Sequence, residues 1–304
     1  MAKKTKNKAL WHPALWPTWI LYGFVFLLAQ LPFANKIKVG EALGRLAYKH
    51  LRSRTKVTRK NIQACFPEMT PADQETLVVK AFESVGRGLM ESIHCWFCDV
   101  SPALSRTHIL GEEHVEAARK RGKGILLIGG HYCIFDLALP LIACQLPKPG
   151  YMYRPNDNPV IDRMIERGRR RHYGIQAFSK WQIKELIQFL SEGGMVWYAC
   201  DQDFGHRSKY FVPFFGVPAG CIDMPSKVAE SSGATVICVG HLRRPDGSYE
   251  IEFSPIMEGF GQSPEADARA WNAFLESKIR QYPDQYLWLH RRFKTQPEGS
   301  PGVY

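Results

Sequence analysis

The 304-residue sequence has no GxSxG elbow, no phosphate-binding P-loop, no HExxH pair and no GxGxxG turn. Those absences remove support for a serine hydrolase, an NTPase, a zincin and a Rossmann dehydrogenase. Cysteine is scarce: eight residues at irregular spacings in a long chain do not describe a disulfide scaffold. The one CxxC, Cys95 to Cys98, lacks a second pair to complete a zinc site and is read as buried thiols near a helix end. Aromatic residues are not interleaved with the basic runs as in RNA-binding repeats, so nucleic acid is not an expected partner. There is no internal repeat and no long linker. No small-residue cleavage site follows the N-terminal apolar run, which argues against a removed signal peptide.

What is present describes a folded chain with a sizeable core. Apolar residues make up 45% and charged residues 23%. The net charge of +11 favours acidic partners such as phosphates, anionic lipid or an acidic protein. Residues 16–33 carry no charge and follow lysines at 3, 4, 6 and 8, with tryptophans 11, 16 and 19 at one end. One helix over this run would reach about 27 Å, close to a hydrocarbon core of about 30 Å. A single membrane span is the first expectation, with an interfacial anchor and a buried helix as alternatives. The resulting division is an anchor over 1–35 and a globular domain over 36–304.

Downstream, residues 38–51 predict an amphipathic helix. Thr70-Pro71 with Asp73 predicts the start of a long helix with an apolar stripe at 78, 82, 85, 89, 93 and 96. From Gly124 the pattern alternates between short apolar strands and helices, among them a strand over 124–130 and a helix over 131–145. The expected class is α/β, a mixed sheet flanked by helices, with ligands beyond the carboxyl ends of the strands.

Three clusters carry chemistry. In Gly129-Gly-His131-Tyr-Cys-Ile-Phe-Asp136 a buried strand runs into two glycines and an imidazole. His131 and Asp136 would face apart by about 140° on one regular helix. They can pair if His131 lies in the strand–helix turn and Asp136 in the first helical turn; Asp136 would then hold the ring tautomer of a base. A histidine that merely caps the helix is the plain alternative. Arg154, Arg163, Arg167, Arg169, Arg170 and Arg171 suit phosphate or carboxylate recognition, or form a solvated basic face. Asp201 and Asp203 end a predicted strand; they can bind Mg²⁺, orient a base, hold arginines or shape a turn, and no third metal ligand is evident.

Taken in order, Gly130-His131 with Asp136, Tyr153-Arg-Pro155, Arg167-Gly-Arg169, Asp201-Gln-Asp203-Phe-Gly205, Pro213-Phe-Phe-Gly216 and Gln285-Tyr-Leu-Trp-Leu-His-Arg-Arg-Phe-Lys-Thr295 resemble the late acyltransferases of lipid A biosynthesis. Asn61 to Glu68 is similar to that family's N-terminal region, and the resemblance covers essentially the whole chain. HxxxxD alone also marks the wider glycerolipid acyltransferases, whose fold the resemblance implies. Tyr153-Arg-Pro155 and His290-Arg-Arg-Phe-Lys294 lie closer to the lauroyl/palmitoleoyl branch than to the myristoyl branch. Asp136 departs from the glutamate of many lauroyl-branch members.

The resemblance implies an enzyme of the bacterial inner membrane, its catalytic domain facing the cytoplasm at the inner leaflet. It would move an acyl chain from acyl carrier protein to a hydroxyl on an acyl chain of an anionic, Kdo-bearing lipid A precursor, without metal or organic cofactor. His131 would be the base, Asp136 its carboxylate, and Arg169 a ligand of acceptor phosphate or carboxylate. Asp201 would hold that arginine or the fold near it. Arg154, Arg167 and Asp203 complete the substrate-binding set. The rival readings are an acyltransferase with another phosphoglycolipid or glycerolipid acceptor, and a non-enzymatic basic membrane adaptor.

Overall fold

A computed structural model describes residues 10–304. The chain opens with four helices: α1 (Trp16–Ala29), α2 (Phe33–His50), α3 (Arg52–Cys65) and α4 (Pro71–Phe97). A single turn, α5 (Ser101–Leu104), leads into the alternating region β1 (Thr107–Leu110), α6 (Glu112–Arg119), β2 (Ile125–Gly129), α7 (Ala138–Ala143), β3 (Pro149–Tyr153), α8 (Pro159–Arg170), β4 (Gln176–Ser179), α9 (Ile183–Ser191) and β5 (Met195–Ala199). A hairpin, β6 (Tyr210–Phe214) and β7 (Val217–Cys221), precedes α10 (Met224–Ser232), β8 (Thr235–Arg243), β9 (Tyr249–Phe253) and α11 (Pro264–Gln281).

Seven strands form one sheet in the order β1-β9-β8-β2-β5-β3-β4. Every neighbouring pair is parallel except β8 and β9, so the sheet is mixed, as the alternation of the sequence predicts. β2 lies at its centre and is buried on both faces, which explains its unbroken apolar run. Leu126 and Ile128 enter one core with Val196, Cys238, Leu275 and Trp288; Ile125 and Leu127 enter the opposite core with Met195, Ile237 and Leu141. After β2 the chain crosses past β5 to β3 and β4 and returns to β5 beside β2; from β5 it crosses past β2 to β8 on the opposite side. The carboxyl ends of β2 and β5 therefore flank a topological switch point, where a crevice opens.

α4 starts where the capping signal predicts. The Thr70 hydroxyl accepts from the Asp73 N–H at 3.2 Å. α2 packs on it backbone to backbone: a Cβ at Gly40 would fall 2.5 Å from the Gly86 carbonyl oxygen. The buried face of α4 runs through Val78, Phe82, Met90 and Ile93, whereas Leu89, expected on the stripe, faces out.

Two local expectations fail, each for a visible reason. The apolar run 16–33 is not one helix. α1 ends at Ala29, and Pro32, unable to continue it, becomes the N-cap of α2. Fourteen residues reach about 21 Å. Among the described residues no helix is long and apolar enough to cross a membrane, so the expected span is not supported; residues 1–9 of the expected anchor lie outside the described residues. One side of α1 packs on α4, with Ala29 against Met90 and Ile93 and Tyr22 and Phe26 edge-on to Phe97, while Ile20 (76% exposed) and Leu27 (67%) face outward.

The second failure is the helix over 131–145, which shrinks to Ala138–Ala143. The backbone of 131–133 is instead bonded to the C-terminal segment: the Cys133 N–H donates to the Gln285 carbonyl at 2.7 Å and Leu287 N–H to the His131 carbonyl at 3.0 Å. The motif Pro213-Phe-Phe-Gly216 lies at the turn of the β6–β7 hairpin. Phe215 and Gly216 both have positive φ (52° and 76°), as a two-residue turn of right-twisted strands requires.

Candidate active site

Strand register brings the first pair together. Gly129 of β2 lies opposite Ala199 of β5, so His131 and Asp201, each two residues further on, leave the sheet side by side. His131 Nδ1 is 2.5 Å from Asp201 Oδ1, and the His131 backbone N–H donates to Asp201 Oδ2 at 2.9 Å. One carboxylate thus fixes both the ring and the chain that carries it. Asp201 is 1% exposed, whereas 29% of the His131 side chain remains accessible. Burial opposes the imidazolium, but the carboxylate on Nδ1 overrides it and raises the pKa of His131 above the ordinary imidazole value. Burial likewise opposes the Asp201 charge, and His131 overrides it, holding the carboxyl well below the usual range. With Nδ1–H directed at the carboxylate, Nε2 presents its lone pair outward. The Gln202 amide nitrogen lies 3.2 Å from that Nε2.

Asp136 is not the partner of His131. Because 131–136 is an irregular loop rather than a first helical turn, the Asp136 carboxylate points to α4 and α8. It accepts from Arg169 Nη2 at 2.5 Å and from Trp96 Nε1. The expected pairing of His131 with Asp136 is therefore replaced: His131 meets Asp201, and Arg169 meets Asp136. Of the two roles expected for Asp201, it does not hold Arg169 but does hold the backbone nearby, through the His131 N–H. Gly168 makes the second pair possible. A Cβ there would sit 2.5 Å from Trp96 Cδ1, so only glycine lets α8 close on α4 and deliver the next residue, Arg169, to Asp136. The loop is held from behind. Ser92 Oγ accepts from the Asp136 N–H at 3.3 Å, and Arg243 donates to the Cys133 carbonyl at 3.0 Å while paired in the core with Glu91 at 2.8 Å.

A cavity of about 200 Å³ lies between these pairs. His131, Asp136 and Arg169 line it together with Tyr151, Trp197 and Arg154. Arg169 stands over the Tyr151 ring at 5.0 Å. Among the residues lining the cavity, Arg169 Nε, Tyr151 Oη and Trp197 Nε1 are buried without a protein partner. Of the other expected residues only Arg154 reaches the cavity. Arg154 is exposed and pairs with Asp157 at 3.2 Å. Arg167 is exposed on α8. Asp203 faces away from the cavity and clamps the C-terminal segment, accepting from the Thr295 N–H at 2.6 Å and its hydroxyl at 2.9 Å.

Several participants escaped sequence reasoning. Gln202 stood inside the Asp201–Gly205 motif but drew no notice beside two carboxylates. Trp96 belongs to the CxxC segment and looked like part of a packing stripe. Glu91 and Arg243 are separated by 152 positions, and no local pattern links them.

A basic imidazole fixed by a carboxylate at the switch point of a mixed sheet, beside a pocket lined by arginine, suits proton transfer during attack by a hydroxyl. Comparison with known proteins specifies the class. The family model described as bacterial lipid A biosynthesis acyltransferase matches residues 3–295. The chain is 38% identical to a lipid A biosynthesis lauroyltransferase of Escherichia coli (strain K12), over 98% of each chain. It is 30% identical to a palmitoleoyltransferase of the same organism over 96% of each, and 25% identical to its myristoyltransferase over 98% of this chain and 93% of the relative. The chain belongs to the bacterial lipid A biosynthesis acyltransferase family, and it is an acyltransferase of lipid A secondary acylation.

Proposed function

We propose that the protein transfers a lauroyl-type chain from acyl carrier protein to a hydroxyl on an acyl chain of a Kdo-bearing lipid A precursor. Arrangement of His131 supports this reading most. A secondary hydroxyl is a weak nucleophile at neutral pH, and attack requires a base that takes its proton as the new bond forms. His131 Nε2 takes that proton, and Asp201 orients the ring and stabilises the imidazolium. The hydroxyl oxygen bonds to the thioester carbonyl carbon, the C–S bond breaks, and the thiol leaves with the proton returned by His131. The developing oxyanion needs preorganised donors. The His131 N–H already serves Asp201, and the guanidinium of Arg169, held by Asp136 and 20% exposed at the cavity wall, is the donor best placed within it. Arg154 at the cavity and Arg167, exposed on α8, take the anionic groups of the acceptor, and Asp203 secures the C-terminal segment. The 38% identity to a lauroyltransferase favours a lauroyl-type donor.

The proposed location is the inner leaflet of the inner membrane, reached from the cytoplasm. α1 supports an interfacial seat: its outward side carries Trp16, Ile20, Leu21, Phe24 and Leu27, all exposed. The basic net charge complements both anionic lipid and an acidic carrier protein.

Purified protein incubated with acyl carrier protein thioesters of several lengths and tetra-acylated Kdo-bearing precursor tests the reading by mass spectrometry. The expected product gains one lauroyl chain, and His131→Ala abolishes the gain. Transfer that survives His131→Ala overturns the assignment of the base.

A further inference from the structure

The base is solvent-accessible, and this raises a problem specific to acyl transfer. A lone pair that can activate a hydroxyl can also activate water, and water attack on a bound thioester wastes the donor. Exclusion of water by burial does not solve it here, because 29% of the His131 side chain is accessible. What stands at the lone pair is Gln202. Nδ1 carries the proton directed at Asp201, so Nε2 is the acceptor nitrogen, and the Gln202 amide 3.2 Å away donates to it. Gln202 follows Asp201 directly beyond β5, so the residue that orients the ring and the residue that covers it are consecutive on one short segment.

We propose that Gln202 is a displaceable cover on the catalytic base: its amide occupies the place of the attacking oxygen until the acceptor hydroxyl arrives, so that transfer is favoured over hydrolysis. This inference rests on the reading of His131 as the base. In the uncovered site a water oxygen would bond to the thioester carbonyl carbon while Nε2 took one of its protons. The C–S bond would then break, and the imidazolium would return the proton to the sulfur, giving free fatty acid and thiol. An amide on Nε2 excludes that water at the cost of one neutral hydrogen bond, which a hydroxyl presented by a tightly bound acceptor can replace. Gln202 is thus a positioning residue acting through His131.

The test uses full-length protein with lauroyl acyl carrier protein, with and without the tetra-acylated precursor. Released thiol measures hydrolysis and product mass measures transfer. Gln202→Ala removes the cover. Gln202→Met keeps the length of the side chain but not the amide, and serves if the alanine variant does not fold. In each folded variant the ratio of hydrolysis to transfer is expected to rise about fivefold, the equilibrium factor of one ordinary neutral hydrogen bond. A merely structural role would lower both rates together and leave the ratio unchanged. An unchanged or lower ratio in folded Gln202→Met, with His131→Ala inactive, overturns the cover and leaves the base in place. Transfer by His131→Ala overturns the reading of the base itself.

Discussion

Two aspartates, both buried, make opposite uses of similar surroundings. Asp201 is 1% exposed and Asp136 4%. Each binds a cationic or potentially cationic side chain at 2.5 Å. Asp201 leaves the end of β5 in register with the end of β2 and faces His131, a group that can gain and lose a proton. Asp136 lies in a loop and faces Arg169, which keeps its charge, and Trp96, which has none to lose. The first carboxylate tunes a titration; the second fixes a cation and joins α4 to α8. Proximity in sequence does not decide which carboxylate serves the imidazole. Strand register does.

The comparison can be broken by removing its members. His131→Ala is expected to have the largest effect, a loss of about 10⁴-fold in kcat, which takes product mass below detection and lies at the upper end of the range for a general base. Asp136→Ala acts on the fold as well as on activity. It leaves Arg169 without its partner in a site where only 20% of that side chain is exposed, and stability measured by urea denaturation is expected to fall by about 3 kcal/mol. Asp201→Asn keeps the shape but removes the charge, and kcat is expected to fall about 100-fold. Its pH profile separates it from Asp136. Asp201 raises the pKa of His131, and the base works only when neutral, so activity is lost as pH falls through that raised value. Without the charge the pKa drops, and the acidic limb of kcat moves to lower pH; in Asp136→Asn the limb stays where it is. The smallest effect lies furthest from the site. Ile20→Ser with Leu27→Ser on α1 is expected to weaken binding to anionic vesicles about tenfold in a flotation assay, while turnover of detergent-dispersed substrate is unchanged.

Much of this was legible in the sequence where chemistry is local. The apolar run of β2, the capping signal at Thr70 and the glycines before His131 each depend on a few neighbouring residues, and each marks its element. The ordered motifs contain His131, Asp136, Arg169 and Asp201, which the fold brings into two neighbouring pairs. Their partners were not legible. Pairing of His131 with Asp201 depends on β2 and β5 being neighbours across 70 positions, and pairing of Asp136 with Arg169 on a glycine that lets α8 reach Trp96. The end of α1 at Ala29 was signalled by Pro32, yet hydropathy summed over 16–33 counted residues beyond it. Gln202 was hidden differently, since an uncharged side chain between two carboxylates shows its value only when its distance to Nε2 is known.

The central claim is that Asp201, not Asp136, governs the proton on His131. An NMR titration of the His131 ring protons in the wild type, Asp201→Asn and Asp136→Asn tests it most directly. The account predicts a lower pKa in Asp201→Asn and a wild-type pKa in Asp136→Asn. A shift confined to Asp136→Asn would contradict it.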